Sequence, residues 1–262
     1  MTKTKQFTTP EKQLERAIES GLVAVAPTMR DFFDQSFGGA SGKTNVILHR
    51  RKLRGDFNAL AAHLAGNKKV TIDRSLRRED VVKAEKELKG KAKKAAQEIL
   101  ADIDMLAREG YHSTKLRLIG DEGYRMDHGY DLKKGSGVSL FHFDGGQPLK
   151  GRVLTAYAGA TTQGIAPEDC IRFVDIPKFQ QDLIGRFGQD HVDPKELAAL
   201  MKRSIADIRL PKPGAIPYAF SVGDIFRHAV RDNKAGVTPH LHRAPPMTTG
   251  AKPRLLLVAD AW

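Results

Sequence analysis

The sequence predicts an α+β protein in which a largely helical first part, residues 1–110, packs on a β-rich remainder, residues 111–262. Three observations predict it. Apolar residues recur at three-to-four spacing through much of the first part. From residue 114 the pattern changes to short runs of β-branched and aromatic residues separated by glycine-rich breaks. No repeat, low-complexity tract or clean linker divides the 262 residues, so a single domain with a sizeable core is expected.

Each element has a local reason. Thr9-Pro10-Glu11 starts a helix: Thr caps, Pro suits the first turn and Glu complements the helix dipole. The helix runs through Leu14, Ala17 and Ile18 to a stop at Gly21. Residues 36–45, SFGGASGKTN, form a loop. Its GGASGKT falls short of a phosphate loop, because Gly38 is one place late and the following NVILHRR reads as a strand instead of a helix. DFNALAAHL, from Asp56 to Leu64, is a short amphipathic helix with His63 at or near its surface.

A long helical stretch follows from Arg78 to Glu109. Val82, Leu88, Ala92, Ala96, Ile99, Ile103 and Leu106 form its apolar stripe, Gly90 is a point of interruption, and KELKGKAKKA is a solvated basic face. The runs TKLRLIG, GVSLFHF, RVLTAYAG and CIRFVDI then read as strands. A helix is expected at Asp193, with Pro194 at its first position, Glu196 closing a capping box, and a stripe of Leu197, Leu200, Met201 and Ile205. AIPYAFSVGDIFRHAV and RLLLVADAW return to strand.

Composition narrows the function classes. No apolar run reaches the about 18 residues of a membrane span, and MTKTKQFTTPEK lacks the apolar stretch of a secretory signal. The single cysteine, Cys170, forms no internal disulfide and fits a reducing cytoplasm. It also rules out a cysteine cluster, so any metal must be held by His and carboxylate. The net charge is +12, and residues 40–100 carry 16 Lys and Arg against 7 Asp and Glu. Such an excess admits nucleic acid or another polyanion as a partner, although no basic motif interleaved with aromatics accompanies it.

The chemistry-bearing residues lie in two stretches. In SLFHFDGG, His142 and Asp144 are two apart at the end of a strand, so they share a face. In TPHLHRAPP, His240 and His242 likewise share a face. Two imidazoles and one carboxylate are the facial-triad set for non-haem Fe(II), which leaves three positions open for a bidentate cosubstrate and dioxygen. Such a cosubstrate needs a fixed cation for its far carboxylate. Arg254, twelve residues after His242 at the start of the last strand, offers a planar, permanently charged fork.

FHFD, GRVLTAYAGATTQG, GDIFRH, HRAPP and PRLLLVADAW, in this order over residues 114–262, resemble the Fe(II)/2-oxoglutarate-dependent dioxygenase superfamily. Within it they resemble an uncharacterised bacterial family with an FH-x-D motif and a terminal HR-[SA]-PP. The resemblance implies a double-stranded β-helix (jelly-roll) core under the helical N-terminal layer. It further implies Fe(II) held by His142, Asp144 and His242, and 2-oxoglutarate anchored by Arg254, with Tyr157 or Thr155 helping to hold it. The spacing leaves His240 as an alternative to His242 for the distal ligand. The Gly145-Gly146 pair and the QPLK stretch make this hairpin looser than the family pattern.

Structural roles compete for each residue. His142 and Asp144 could bond each other or turn amides, and Arg254 could pair with Asp224 or Asp260. His228 in GDIFRHAV reads as structural. So do His49, His112, His128 and His191, which lack ligand spacing, and Arg243, which faces away from His242. Two other functions fit the chain: a cupin-like metalloenzyme that uses no oxoglutarate, and a non-enzymatic basic module that grips a polyanion.

Overall fold

A computed structural model describes residues 9–66, 74–120, 141–145, 150–172, 209–231, 236–245 and 251–261. The expected helix at 193–205, together with His128 and His191, lies outside these residues.

The first helix, α1 (Pro10–Glu19), is capped by Thr9, whose side chain accepts from the Lys12 amide, and it buries Leu14 and Ala17. Strand β1 (Val23–Val25) follows, then α2 (Met29–Asp34), which Thr28 and Asp31 close with a capping box. After the loop at 36–45 comes β2 (Val46–His49), then α3 (Phe57–Ala65), capped by Asp56. Strand β3 (Arg74–Leu76) leads into α4 (Arg78–Glu87) and α5 (Gly90–Arg108). The long helix is therefore two. Leu88 and Lys89 are extended, and Gly90 sits at φ 58°, a conformation that favours glycine. The break resets the helical phase, so Val81 and Ala84 are buried in α4 while Val82, expected in the stripe, is only half-buried.

The remaining strands are β4 (Ser113–Ile119), β5 (His142–Phe143), β6 (Arg152–Ala158), β7 (Gln163–Gly164), β8 (Cys170–Arg172), β9 (Arg209–Pro211), β10 (Tyr218–Ala219), β11 (Ile225–His228), β12 (Leu241–Arg243) and β13 (Arg254–Asp260). They form a seven-stranded sheet in the order β1-β2-β11-β6-β13-β4-β3, a four-stranded sheet in the order β10-β7-β12-β5, and the pair β8-β9. Among the described residues all strand pairings are antiparallel except β1 with β2. The chain is thus α+β, with a large sheet and several helices. Residues 1–110 are more than a helical layer, because β1, β2 and β3 join the large sheet.

The large sheet lies between two apolar layers. On one face Val153, Tyr157, Ile225, Leu255, Leu257 and Ala259 pack with the helices, among them Phe57, Leu60, Ala96, Ile99 and Leu106. On the other face Leu154, Ala156, Phe226 and Leu256 meet Tyr218 and Phe220, at and just after β10. A register shift between Leu255 and Leu256 leaves Tyr157 as the extra residue of a bulge in β6.

Candidate metal centre

The site forms where the inner face of the large sheet meets β5 and β12. In the ladder between these two strands, His142 pairs with His242 and Phe143 with Leu241. The period of two then brings Asp144 to the side of His142. The His142, Asp144 and His242 ligand atoms all lie within 4.8 Å of one another. Asp144 is the hub: His242 Nε2 is 3.4 Å from Oδ2, His142 Nε2 is 3.7 Å from Oδ1, and Arg152 Nη1 is 2.6 Å from Oδ2. Arg152 also grips Asp260 with two hydrogen bonds, of 2.7 and 3.1 Å. It is a positioning residue that ties the loop after β5 to β6 and β13.

His242 is oriented for ligation. Its Nδ1–H donates to the His240 carbonyl at 3.1 Å, which turns Nε2 to Asp144. His240 differs, because its Nε2 shares a 3.0 Å hydrogen bond with the Tyr218 hydroxyl. Tyr218 can lie this close because its neighbour across the ladder is Gly164, where a Cβ would stand 2.6 Å from the Tyr218 oxygen. The geometry favours His242 over His240 as the distal donor.

A further imidazole enters from the large sheet. His228, at the end of β11, is fully buried with Nε2 3.4 Å from Asp144 Oδ2, and it forms a second close group with His240 and His242. Neither His228 ring nitrogen, nor His240 Nδ1, makes a hydrogen bond among the described residues. A buried polar atom left so costs about 1–3 kcal/mol, which a bound cation would offset. The donor set therefore fits a divalent metal of the imidazole-preferring kind.

In the sequence His228 reads as structural, and no motif singles out Arg152. The available signal was alternation. Phe226 and His228 share a face, as do Arg152, Leu154 and Ala156, and Phe226, Leu154 and Ala156 belong to the inner apolar layer.

Electrostatics agree with the geometry. Burial opposes ionisation of Asp144, yet the surrounding imidazoles, His242 foremost, hold its carboxyl well below the usual range. Burial, and then the neighbouring His242, push His228 and His240 well below the ordinary imidazole value, so both are neutral with a lone pair available. What exposure the cluster has lies on the His142–Asp144 side, where the two side chains keep 19% and 14%.

No protein-family model, no curated protein and no solved structure matches the chain.

The other expected residues divide. Arg254 is buried at the start of β13, where its Nη2 donates to Thr162 Oγ1 at 2.7 Å. Thr162 is two residues before Gly164, and Gly164 pairs with His242, so at most about 7 Å of chain separates the Arg254 contact from the ladder position beside the imidazole. The expected alternatives for Arg254 are otherwise engaged. Asp260 binds Arg152, and the Asp224 carboxylate accepts from the Ser221 amide.

Tyr157 and Thr155 do not reach the site. Tyr157 donates to Asp102 Oδ2 at 2.5 Å and stacks on Phe57, with ring centroids 5.2 Å apart, on the helix-covered face. Thr155 pairs with Ile225 and Leu257, which belong to that same apolar layer. The physical reason is the strand period: odd positions of β6 face the helices, while Arg152, Leu154 and Ala156 face the site.

Arg243 points away, as expected, donating to Gln163 Oε1 and lying over the Phe141 ring. His49 bonds the Ala26 carbonyl, His63 approaches Glu87, and His112 is exposed. Part of the basic excess of residues 40–100 is offset by acids outside that stretch, through Arg50 with Glu15, Arg51 with Asp102 and Arg78 with Asp104. Among the described residues no helix is long and apolar enough to cross a membrane.

Proposed function

We propose that the chain is an Fe(II)/2-oxoglutarate-dependent oxygenase of the hydroxylase type, its substrate unidentified, and that its two facing sheets are a double-stranded β-helix. The observation that carries this is the convergence of His142, Asp144 and His242, with ligand atoms within 4.8 Å of one another. These three residues would hold the metal. The bound metal and oxo acid would supply dioxygen activation coupled to decarboxylation of 2-oxoglutarate to succinate and carbon dioxide.

The chain's own residues do the rest. Arg152 fixes the Asp144 carboxylate, and the His240 carbonyl fixes the His242 tautomer. The apolar layer around Phe226, Leu154 and Leu256 keeps water from the inner face. Arg254, oriented by Thr162, supplies a buried guanidinium for the far carboxylate of the oxo acid.

The test is to load the protein with Fe(II) without oxygen, titrate 2-oxoglutarate calorimetrically, then admit air and measure succinate. Metal-dependent binding followed by succinate release is expected. Metal-loaded protein that does not bind 2-oxoglutarate overturns the reading. A cupin-like metalloenzyme without oxoglutarate is the second reading, favoured by the additional imidazole of His228 at the same carboxylate. It predicts that Arg254→Gln leaves both metal binding and activity intact.

A further inference from the structure

We propose that His228 is a fourth protein ligand, so that three imidazoles and one carboxylate, His142, Asp144, His228 and His242, hold a single first-row transition dication. The inference rests on the metal-holding part of the proposed function and is independent of oxoglutarate.

Distance is the first argument. Metal–nitrogen and metal–oxygen bonds of about 2.1 Å place adjacent donors about 3.0 Å apart at right angles and about 3.4 Å apart in a tetrahedron. His228 Nε2 and His242 Nε2 each lie 3.4 Å from Asp144 Oδ2, and His142 Nε2 lies 3.7 Å from Oδ1. The His228 and His242 ring centroids are 4.7 Å apart, against 4.8 Å for His142 and His242. His228 thus stands as close to Asp144 and to His242 as the members of the triad stand to one another.

The second argument is the lack of any other occupation for its ring. His228 is fully buried, and neither nitrogen makes a hydrogen bond among the described residues. His240 offers the contrast within the same cluster, since its Nε2 is engaged by Tyr218. Position is the third. His228 stands on β11, in register with Arg152 on β6 and Val46 on β2, in the interior of the large sheet. His142, Asp144 and His242 come from the small sheet and the loop leaving it. A cation held by all four would pin the two sheets together. Three imidazoles select a transition metal over magnesium or calcium, and four protein donors leave at most two positions of an octahedral ion, so a bidentate oxo acid and dioxygen together would have to displace one of the four.

The experiment uses the full chain and Co(II) alone. Equilibrium dialysis gives affinity, and X-ray absorption at the cobalt edge counts imidazoles, for wild type, His228→Gln and His240→Gln. Three imidazoles are expected in wild type and in His240→Gln. Two are expected in His228→Gln, with affinity lowered at least about tenfold. Should His228→Gln not fold, the wild-type count alone decides between three and two. An unchanged count and affinity in folded His228→Gln, or two imidazoles in wild type, overturns the role of His228 and leaves the triad standing. A wild-type protein that binds no Co(II) removes the triad as well.

Discussion

His142 lies directly across from His242 in the β5–β12 ladder, and their rings stand 4.8 Å apart. Two segments 100 residues apart in the chain thereby share one carboxylate, that of Asp144. Replacing His142, Asp144 or His242 singly by alanine should lower Fe(II) or Co(II) affinity at least about tenfold. Equilibrium dialysis checks this, with far-UV circular dichroism to show that the fold persists. Arg243→Ala, next to a donor in sequence but on the opposite face, should keep affinity within about twofold, because its side chain meets Gln163 and Phe141 and not the cluster.

Arg254 and Thr162 make a separate prediction. A charge-assisted hydrogen bond to a carboxylate contributes about 1.5–3 kcal/mol, so Arg254→Gln should weaken 2-oxoglutarate binding by about 10–100-fold. Thr162→Val, which removes the 2.7 Å bond that orients the guanidinium, should weaken it less. Neither should change Co(II) affinity. Calorimetry on protein loaded with Mn(II) separates the two effects, and a parallel loss of metal would tie Arg254 to folding instead.

Stability should depend on a network far from the metal cluster. Arg51 binds the Asp102 carboxylate with two bonds, of 2.7 and 2.6 Å, and the Tyr157 hydroxyl donates to the same carboxylate. Arg51→Met leaves that buried carboxylate without its cation and should cost about 3–5 kcal/mol in urea unfolding. Tyr157→Phe should cost about 1–3 kcal/mol. The same Tyr157→Phe protein should bind metal and 2-oxoglutarate as wild type does, because the ring faces the helices.

Cys170 should be a sluggish thiol. Burial, helped by Asp169, pushes its pKa up to about 11. At pH 8 only about one native thiol in a thousand is then ionised, against about a tenth in the unfolded chain, and the thiolate is the reactive form. Labelling by a disulfide reagent should be about 100-fold slower in native protein than in urea, rising about tenfold per pH unit between 8 and 10. The sign for stability follows. The unfolded thiol ionises first, so the contribution of this group is intact below pH 9 and is lost as pH rises towards 11.

Much of the site was legible because its key residues sit at strand spacing. His142 with Asp144, and His240 with His242, each share a face whatever the rest of the chain does, and Thr9, Asp56 and Gly90 mark helix ends by local chemistry alone. Which face each strand turns to the site was not legible. Both sides of the large sheet are apolar, so the runs RVLTAYA and IFRH carry no polar-out signal to orient them. Tyr157, expected beside the site from the resemblance, faces the helices, and His228, expected to be structural, lies in the cluster.

The amino-acid sequence by itself determined an α+β chain, the helix boundaries set by caps and glycine, the exclusion of a cysteine-held metal, and the pairs His142–Asp144 and His240–His242. Only the tertiary structure decided that β5 and β12 lie side by side, that Tyr218 engages His240 while His242 keeps Nε2 turned to Asp144, and that His228 and Arg152 close the cluster from the other sheet. The division has a physical cause. Caps, turns and side-chain alternation are governed by residues a few places apart, whereas the meeting of two sheets depends on which apolar faces bury each other, a choice made by the whole chain.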